Sequence, residues 1–410
     1  MSARTDLTMG PSRVKPPRRA RASTVSLAAA ALIAAAALTG CGSGSSTSSA
    51  ASSSSTSSAA SSSSTSTTSS PAGSASGFTS TALASITPIR IDTPSGKTSV
   101  TQPDDITGLN GSIFVGFQNQ VGTKGEPVPK GTQGAGNLDS TVVDFSSSGS
   151  PAGQWNVAGH LDGLSADPAI GKVIVSTNED GNAHLFLIDP SSPQAVEYHL
   201  PKLPHGGGLD AISIWHGMIL ISASAPSGTS GPAVYVVSLN SSSNTATVHA
   251  LFADNATAAG ATGSTHLALT DPDSSAVVPA SASRFGGQFE LTSQGDLLQI
   301  FAADTSGKRL SELKLSQSVD DSAWPTSASG TLYVTDSSND LIWKVTGPFQ
   351  PGTEIASVTP CNANAAPTTC PSPPKWGPNY LGTVDMSTGA ITKLPMTGIT
   401  IVPKGLFFVP

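Results

Sequence analysis

The chain has 410 residues, a net charge of −7, 11% charged and only 5% aromatic residues, with 41 glycines, 31 prolines and three cysteines. Residues 1–40 hold six basic side chains against one acid, so everything after them stands at −12. That balance argues against nucleic acid as a partner and against a polybasic membrane patch, because both need clustered Lys and Arg.

In chain order the first element is an export signal over residues 1–40. Arg4, Arg13, Lys15, Arg18, Arg19 and Arg21 form a basic head, and residues 25–38 are apolar apart from Ser26. Fourteen helical residues reach roughly 21 Å, short of a bilayer core of about 30 Å. Small residues then close the segment, as a cleavage site requires. Leu38-Thr39-Gly40-Cys41 resembles the lipobox of bacterial lipoproteins. The resemblance implies that Cys41 is lipidated with acyl chains of the palmitate kind and becomes the new N-terminus. The protein is then expected at the extracytoplasmic face of the cell membrane, held far better than by a single chain. Residues 42–77 are nearly all Ser, Thr, Ala and Gly. They lack the apolar surface that offsets ordering entropy and are expected to be a disordered tether of about 30–36 Å average span.

Residues 78–410 are expected to fold as one all-β domain. Short runs rich in Val, Ile, Leu and Phe alternate with Gly, Asn, Asp, Ser and Pro, among them SIFVGF (112–117), KVIVST (172–177), MILISA (218–223) and TLYVTD (331–336). That is the pattern of many short strands. A longer cycle overlies it: an acid with a small apolar strand, a Gly or Asn turn, then a stronger strand. It recurs in PDDITGLNGSIFVGF (103–117), LDGLSADPAIGKVIVST (161–177), LDAISIWHGMILISA (209–223), HLALTDPDSSAVVPA (266–280), VDDSAWPTSASGTLYVTD (319–336) and MTGITIVPKGLFFVP (396–410). The openings fall at Asp105, Asp162, Asp210, Asp271, Asp321 and Gly398, the first five 48 to 61 residues apart. Six such cycles predict a six-bladed β-propeller. The last is short, so the segment 78–92 is expected to supply outer strands of the closing blade, putting N- and C-terminal strands in one sheet and removing open edges. A two-sheet sandwich is the alternative.

The blade pattern in residues 161–177 and 320–345 resembles the NHL-repeat and gluconolactonase-like six-bladed propellers over most of residues 103–410. Gluconolactonase-like enzymes hold a divalent metal on a Glu, an Asn and an Asp. The resemblance carries the Asp over to Asp162 or Asp321, whereas the glutamate that opens their first blade has no counterpart in PDDI (103–106).

Inner strands of a propeller line its channel, so Asp104, Asp105, Asp162, Asp210, Asp320 and Asp321 are expected to converge at one mouth, with Asp271 and Asp273 near them. Converging carboxylates must either keep protons or surround a divalent cation such as Ca²⁺. Each Asp would equally serve as a turn-maker. His160, His205 and His266 recur just before blade openings and would form a Zn²⁺ ring if they shared a face. Glu179 and its amide-rich turn (176–189) read as a local Ca²⁺ loop or a plain hairpin turn. Trp215, Trp324 and Trp343 read as core or channel wall. HGGGLD (205–210) has no G-x-S-x-G partner, so its glycines read as room for a close turn between blades. Cys361 and Cys370, in a Pro- and Ala-rich loop, are expected to form a structural disulfide in an oxidising compartment. Taken together, the residues point to an envelope binding propeller for a small molecule, a glycan or a protein, with a metal-dependent hydrolase as the alternative.

Overall fold

A computed structural model describes residues 77–85, 89–226, 230–360, 379–398 and 400–410. The export segment, Cys41, all of the tether before Gly77 and the Cys361–Cys370 pair lie outside the described residues. The described residues contain strands and turns and no helix, and they form a six-bladed β-propeller.

The first three blades follow chain order, each an antiparallel four-stranded sheet counted from the channel outward. Blade 1 is Pro103–Leu109, Ser112–Phe117, Asp139–Phe145 and Pro151–Ala158; blade 2 is Leu161–Asp167, Lys172–Thr177, His184–Ile188 and Val196–Glu197; blade 3 is Leu209–Trp215, Met218–Ala223, Pro232–Asn240 and Thr245–Ala253. Blade 4 runs Pro272–Val277, Phe289–Ser293, Leu298–Ala302 and Leu310–Lys314. A hairpin, Thr257–Gly260 with Gly263–His266, extends its outer edge, covering backbone groups that would otherwise template pairing.

The last two blades interlock. The inner strand of blade 5, Val319–Ala323, pairs with Glu354–Val358, followed outward by Tyr380–Val384 and Ile391–Lys393. The hairpin between them in sequence, Thr331–Asp336 with Leu341–Thr346, belongs to blade 6. There it lies between the innermost strand Leu406–Val409 and the outer strand Phe78–Ser85, with Met396–Thr397 at the edge. The expected closure of both chain ends in one sheet is therefore present. Three details differ from the sequence reading: of the segment 78–92 only Phe78–Ser85 joins the closing blade, Arg90–Thr93 pairing instead with Gly96–Ser99 in a separate hairpin; residues 319–336 are split between two blades; and the two strands of the last cycle sit at opposite edges of the closing sheet. A strand pattern reports succession along the chain. It does not report which sheet a strand joins, and neighbours in sequence are not always neighbours in space.

Between blades the core is apolar, as two packed sheet faces demand. Phe114, Phe117, Phe145, Phe289 and Phe301 are fully buried, and Trp215 and Trp343 also lie in these interfaces. A repeated polar latch adds direction. A hydroxyl on the second strand of one blade donates to a backbone carbonyl on, or just before, the inner strand of the next: Ser176 to Asp210 at 2.6 Å, Ser222 to Asp273 at 3.1 Å, Ser357 to Pro403 at 2.8 Å. Thr335 does the same to Asp104 and closes the ring.

Candidate functional site: an acidic channel mouth

The inner strands of blades 1 to 5 share one irregularity. Each gains an extra residue relative to its partner, and the shift falls across an acid: Pro103/Ile106, Leu161/Gly163, Leu209/Ile212, Pro272/Ser275 and Val319/Asp321. A bulge bends the strand and re-aims a side chain. In register, the bulges bring Asp104, Asp162, Asp210, Asp273 and Asp320 to the same level. Blade 6 supplies Lys404 at that level, immediately before its inner strand. All six line one cavity of about 1140 Å³.

Lys404 Nζ lies 3.1 Å from Asp320 Oδ1 and 3.6 Å from Asp104 Oδ1. Gln118 Nε2 donates to Asp104 Oδ2 at 2.7 Å and Asp162 Oδ1 at 3.0 Å, and Gln294 Nε2 to Asp320 Oδ1 at 2.8 Å. Burial raises Asp104 to about 6 despite the nearby Lys404 cation. Burial and then neighbouring carboxylates push Asp210 and Asp273 well above the usual range. Lys404 stays charged, because the attraction of Asp104 and Asp320 outweighs its burial. Asp104 Oδ1, Asp162 Oδ2, Asp273 Oδ2 and Asp320 Oδ2 are buried without a hydrogen-bond donor.

On the blade 2 side of the ring, His160, Asp162 and Glu179 each bring a ligand-type atom within 4.8 Å of the others. His160 Nδ1 lies 2.5 Å from the Val121 carbonyl. That N–H donates to the carbonyl and directs Nε2 toward Asp162 Oδ1, 3.5 Å away, which is how a backbone acceptor fixes a ligand tautomer. Burial opposes the His160 cation, but the Asp162 carboxylate outweighs it and holds the imidazole up at about 9. Burial, with help from Asp162, raises Glu179 to about 8. Glu179 arrives from the turn after the second strand of blade 2. Its carbonyl accepts from Gly208 N at 2.8 Å, and a Cβ on Gly208 would stand 1.8 Å from the Asn178 carbonyl. The glycines of HGGGLD thus let the blade 2–3 connection pass close behind this turn.

The other residues singled out from sequence occupy different places. Asp105 and Asp321 stand one residue past the ring and staple blades together, accepting from Leu164 N at 2.8 Å and Leu406 N at 2.6 Å. Asp271 lines the cavity and accepts from Gly295 N at 2.9 Å. Trp324 lines the wall. The three histidines do not share a face. His205 is buried in blade 3, with Tyr235 Oη at 2.6 Å and the Gly208 carbonyl at 2.9 Å from its two ring nitrogens. His266 is exposed on the hairpin at the outer edge of blade 4. Gln118, Gln294 and Lys404 escaped the sequence reading, yet each had a signal. The two glutamines follow second strands at the same phase, and Pro403-Lys404-Gly405 repeats the frame of Leu161-Asp162-Gly163.

No protein-family model matches the chain, and no curated protein matches it at a significant level. Solved structures similar over most of its length include a streptogramin B lyase, at 12% identity, 81% of this chain, 94% of that chain and a TM-score of 0.38. They also include the periplasmic gluconolactonase PpgL of Pseudomonas aeruginosa, at 14%, 76%, 90% and 0.38. A protein of unknown function from Bacteroides caccae matches at 11%, 76%, 89% and 0.40.

Proposed function

We propose that this chain is a lipid-anchored, extracytoplasmic binding propeller whose channel mouth takes a divalent cation on His160, Asp162 and Glu179. The clustering of an imidazole nitrogen and two carboxylates within 4.8 Å carries the reading. Support comes from the surrounding charge: the mouth holds a large excess of carboxylates over two cationic side chains, and a bound cation relieves that repulsion. The buried, undonated Asp162 Oδ2 offers a further lone pair. A mixed nitrogen and oxygen donor set suits Mn²⁺ or Zn²⁺ better than Ca²⁺, which prefers oxygen alone. The placement at the cell envelope rests on Leu38-Thr39-Gly40-Cys41 and the Ser-rich tether.

A second reading, a metal-dependent hydrolase, is favoured by one observation. Three protein ligands facing a cavity of about 1140 Å³ leave coordination positions for water and a substrate carbonyl, the arrangement of catalytic rather than structural sites. Thermal unfolding of the chelated chain against Mn²⁺, Zn²⁺, Ca²⁺ and Mg²⁺ tests the shared premise. The midpoint is expected to rise with ion concentration, and the rise to vanish in Asp162→Asn. A midpoint unmoved by every ion would remove the cation centre and with it the hydrolase reading.

A further inference from the structure

The ring is neutralised unevenly. Lys404 pairs with Asp104 and Asp320, and His160 faces Asp162. Asp210 has neither, and Asp273, on the adjacent blade, feels the Lys404 charge only at a distance, without a direct pair. Among the described residues no side chain or backbone group donates a hydrogen bond to either carboxylate, and no cation pairs with one. Asp210 is nonetheless only 5% exposed, and Asp273 Oδ2 is buried. Two sheltered acids without a hydrogen-bond donor form a charge excess that either a proton or a ligand cation can relieve.

What lies along the strands from these two acids differs in kind. Apart from Glu179, every charged residue that lines the cavity belongs to the ring, to the position just after it, or to the segments feeding it. From Ile212 onward in blade 3 and Ser275 onward in blade 4 the wall carries no charge. Ser213 and Ser275 hydroxyls bond each other at 2.9 Å, which satisfies part of their hydrogen-bonding capacity. Beyond them the partly exposed lining on this side is Ala211, Ile214, Ala276 and Val277, while Ile212 packs into the core between blades 2 and 3 and Ser274 is buried. From Asp210 to Ile214 the strand advances about 13 Å, the length of a medium alkyl chain.

We propose that the Asp210–Asp273 side of the channel is an organic-ammonium subsite, taking a primary amine whose apolar body runs along Ile214, Ala276 and Val277. The ammonium supplies N–H donors to two acceptor-only carboxylates, while the apolar body leaves water for the uncharged half of the channel. The inference rests on the channel being a cation receiver, but it uses carboxylates that the metal centre does not. The two sites are then occupied together, the inorganic ion on blade 2 and the amine between blades 3 and 4.

Calorimetric titration of the full-length chain with n-hexylamine, n-hexanol and n-hexanoate tests it, first after chelation and again with saturating Mn²⁺. Hexylamine is expected to bind saturably in both states and at least tenfold more tightly than hexanol, with hexanoate not binding. Asp210→Asn/Asp273→Asn is expected to weaken hexylamine tenfold or more while keeping the Mn²⁺ response. Equal affinity for hexanol would overturn the proposal, as would competitive displacement of hexylamine by Mn²⁺, or loss of hexylamine binding in Asp162→Asn but not in the double variant. If the double variant does not fold, the hexylamine–hexanol comparison on the unaltered chain still decides. Hexylamine binding without any Mn²⁺ response would uphold this subsite and overturn the metal centre, so the two claims fail separately.

Discussion

Ser176 Oγ donates to the backbone carbonyl of Asp210 at 2.6 Å, tying the second strand of blade 2 to the inner strand of blade 3. The contact explains the glycine after Asp162. A Cβ on Gly163 would stand 2.0 Å from that Oγ and 2.2 Å from the Asp210 carbonyl, so a side chain there must break the latch or push the blades apart. Gly163→Ala is expected to destabilise the fold by about 1–3 kcal/mol, the usual range for overpacking. Urea unfolding measures it, and a change under 0.5 kcal/mol would mean that the blades do not meet this closely.

Closure makes a second expectation. Phe78 begins the outer strand of blade 6, is buried, and meets the Phe349 ring edge-on at a centroid distance of 5.1 Å. Phe349 in turn meets Phe408 of the innermost segment at 4.9 Å. Phe78→Ala is expected to cost about 3–5 kcal/mol, as for other buried aromatics, although it lies more than 300 residues from Phe408 in sequence. Denaturant midpoints would show it. A near-neutral result would mean that the ring closes without its N-terminal strand.

The interface between blades 4 and 5 carries a pH signature away from the cation centre. Gln299 Nε2 donates both to Glu290 Oε1 at 2.8 Å and to Glu354 Oε1 at 2.6 Å, and Trp324 Nε1 holds Glu290 Oε2 at 2.9 Å. Both acids are fully buried. Burial raises Glu354 from 4.5 to about 7, and burial with the Glu354 charge lifts Glu290 well above its usual range. The folded state therefore binds more protons than the unfolded chain between pH 4.5 and 7. Stability from this pair is complete below pH 4.5 and is lost as pH rises through about 7, on the order of 3 kcal/mol for Glu354. Unfolding free energy of the chelated chain, measured across that window, should fall with pH, and Glu354→Gln should flatten the slope. A slope unchanged by Glu354→Gln would contradict this assignment.

Much of this architecture can be read before folding because a propeller repeats one unit. The alternation in SIFVGF or KVIVST marks a strand wherever it lies, and an acid near its start marks the inner strand of each of the first five blades. Sheet membership is harder. Residues 331–346 look like the continuation of 319–323, and only their pairing with Leu406–Val409 and Phe78–Ser85 shows the crossing into blade 6. The site is legible to a similar depth. Asp162 and Asp210 have no acidic neighbour in sequence and read directly, whereas Asp104-Asp105 and Asp320-Asp321 are pairs in which the bulge decides which member joins the ring. Alternation with period two cannot see a bulge. Glu179 reaches the mouth from a turn 17 residues after Asp162, a proximity created by the hairpin and by the room that Gly208 leaves. His205 and His266 shared a phase in the sequence but not a place, because the segments before blades 3 and 4 fold outward.

The central claim is that His160, Asp162 and Glu179 hold a divalent ion. Electron paramagnetic resonance of Mn²⁺ added to the chelated full-length chain addresses it directly, since a nitrogen ligand leaves a hyperfine signature that carboxylates and water do not. One tightly held Mn²⁺ per chain with nitrogen coupling, which His160→Gln abolishes, is the predicted result. Mn²⁺ that keeps the spectrum of the free aqueous ion, or that binds with no nitrogen coupling, would contradict it.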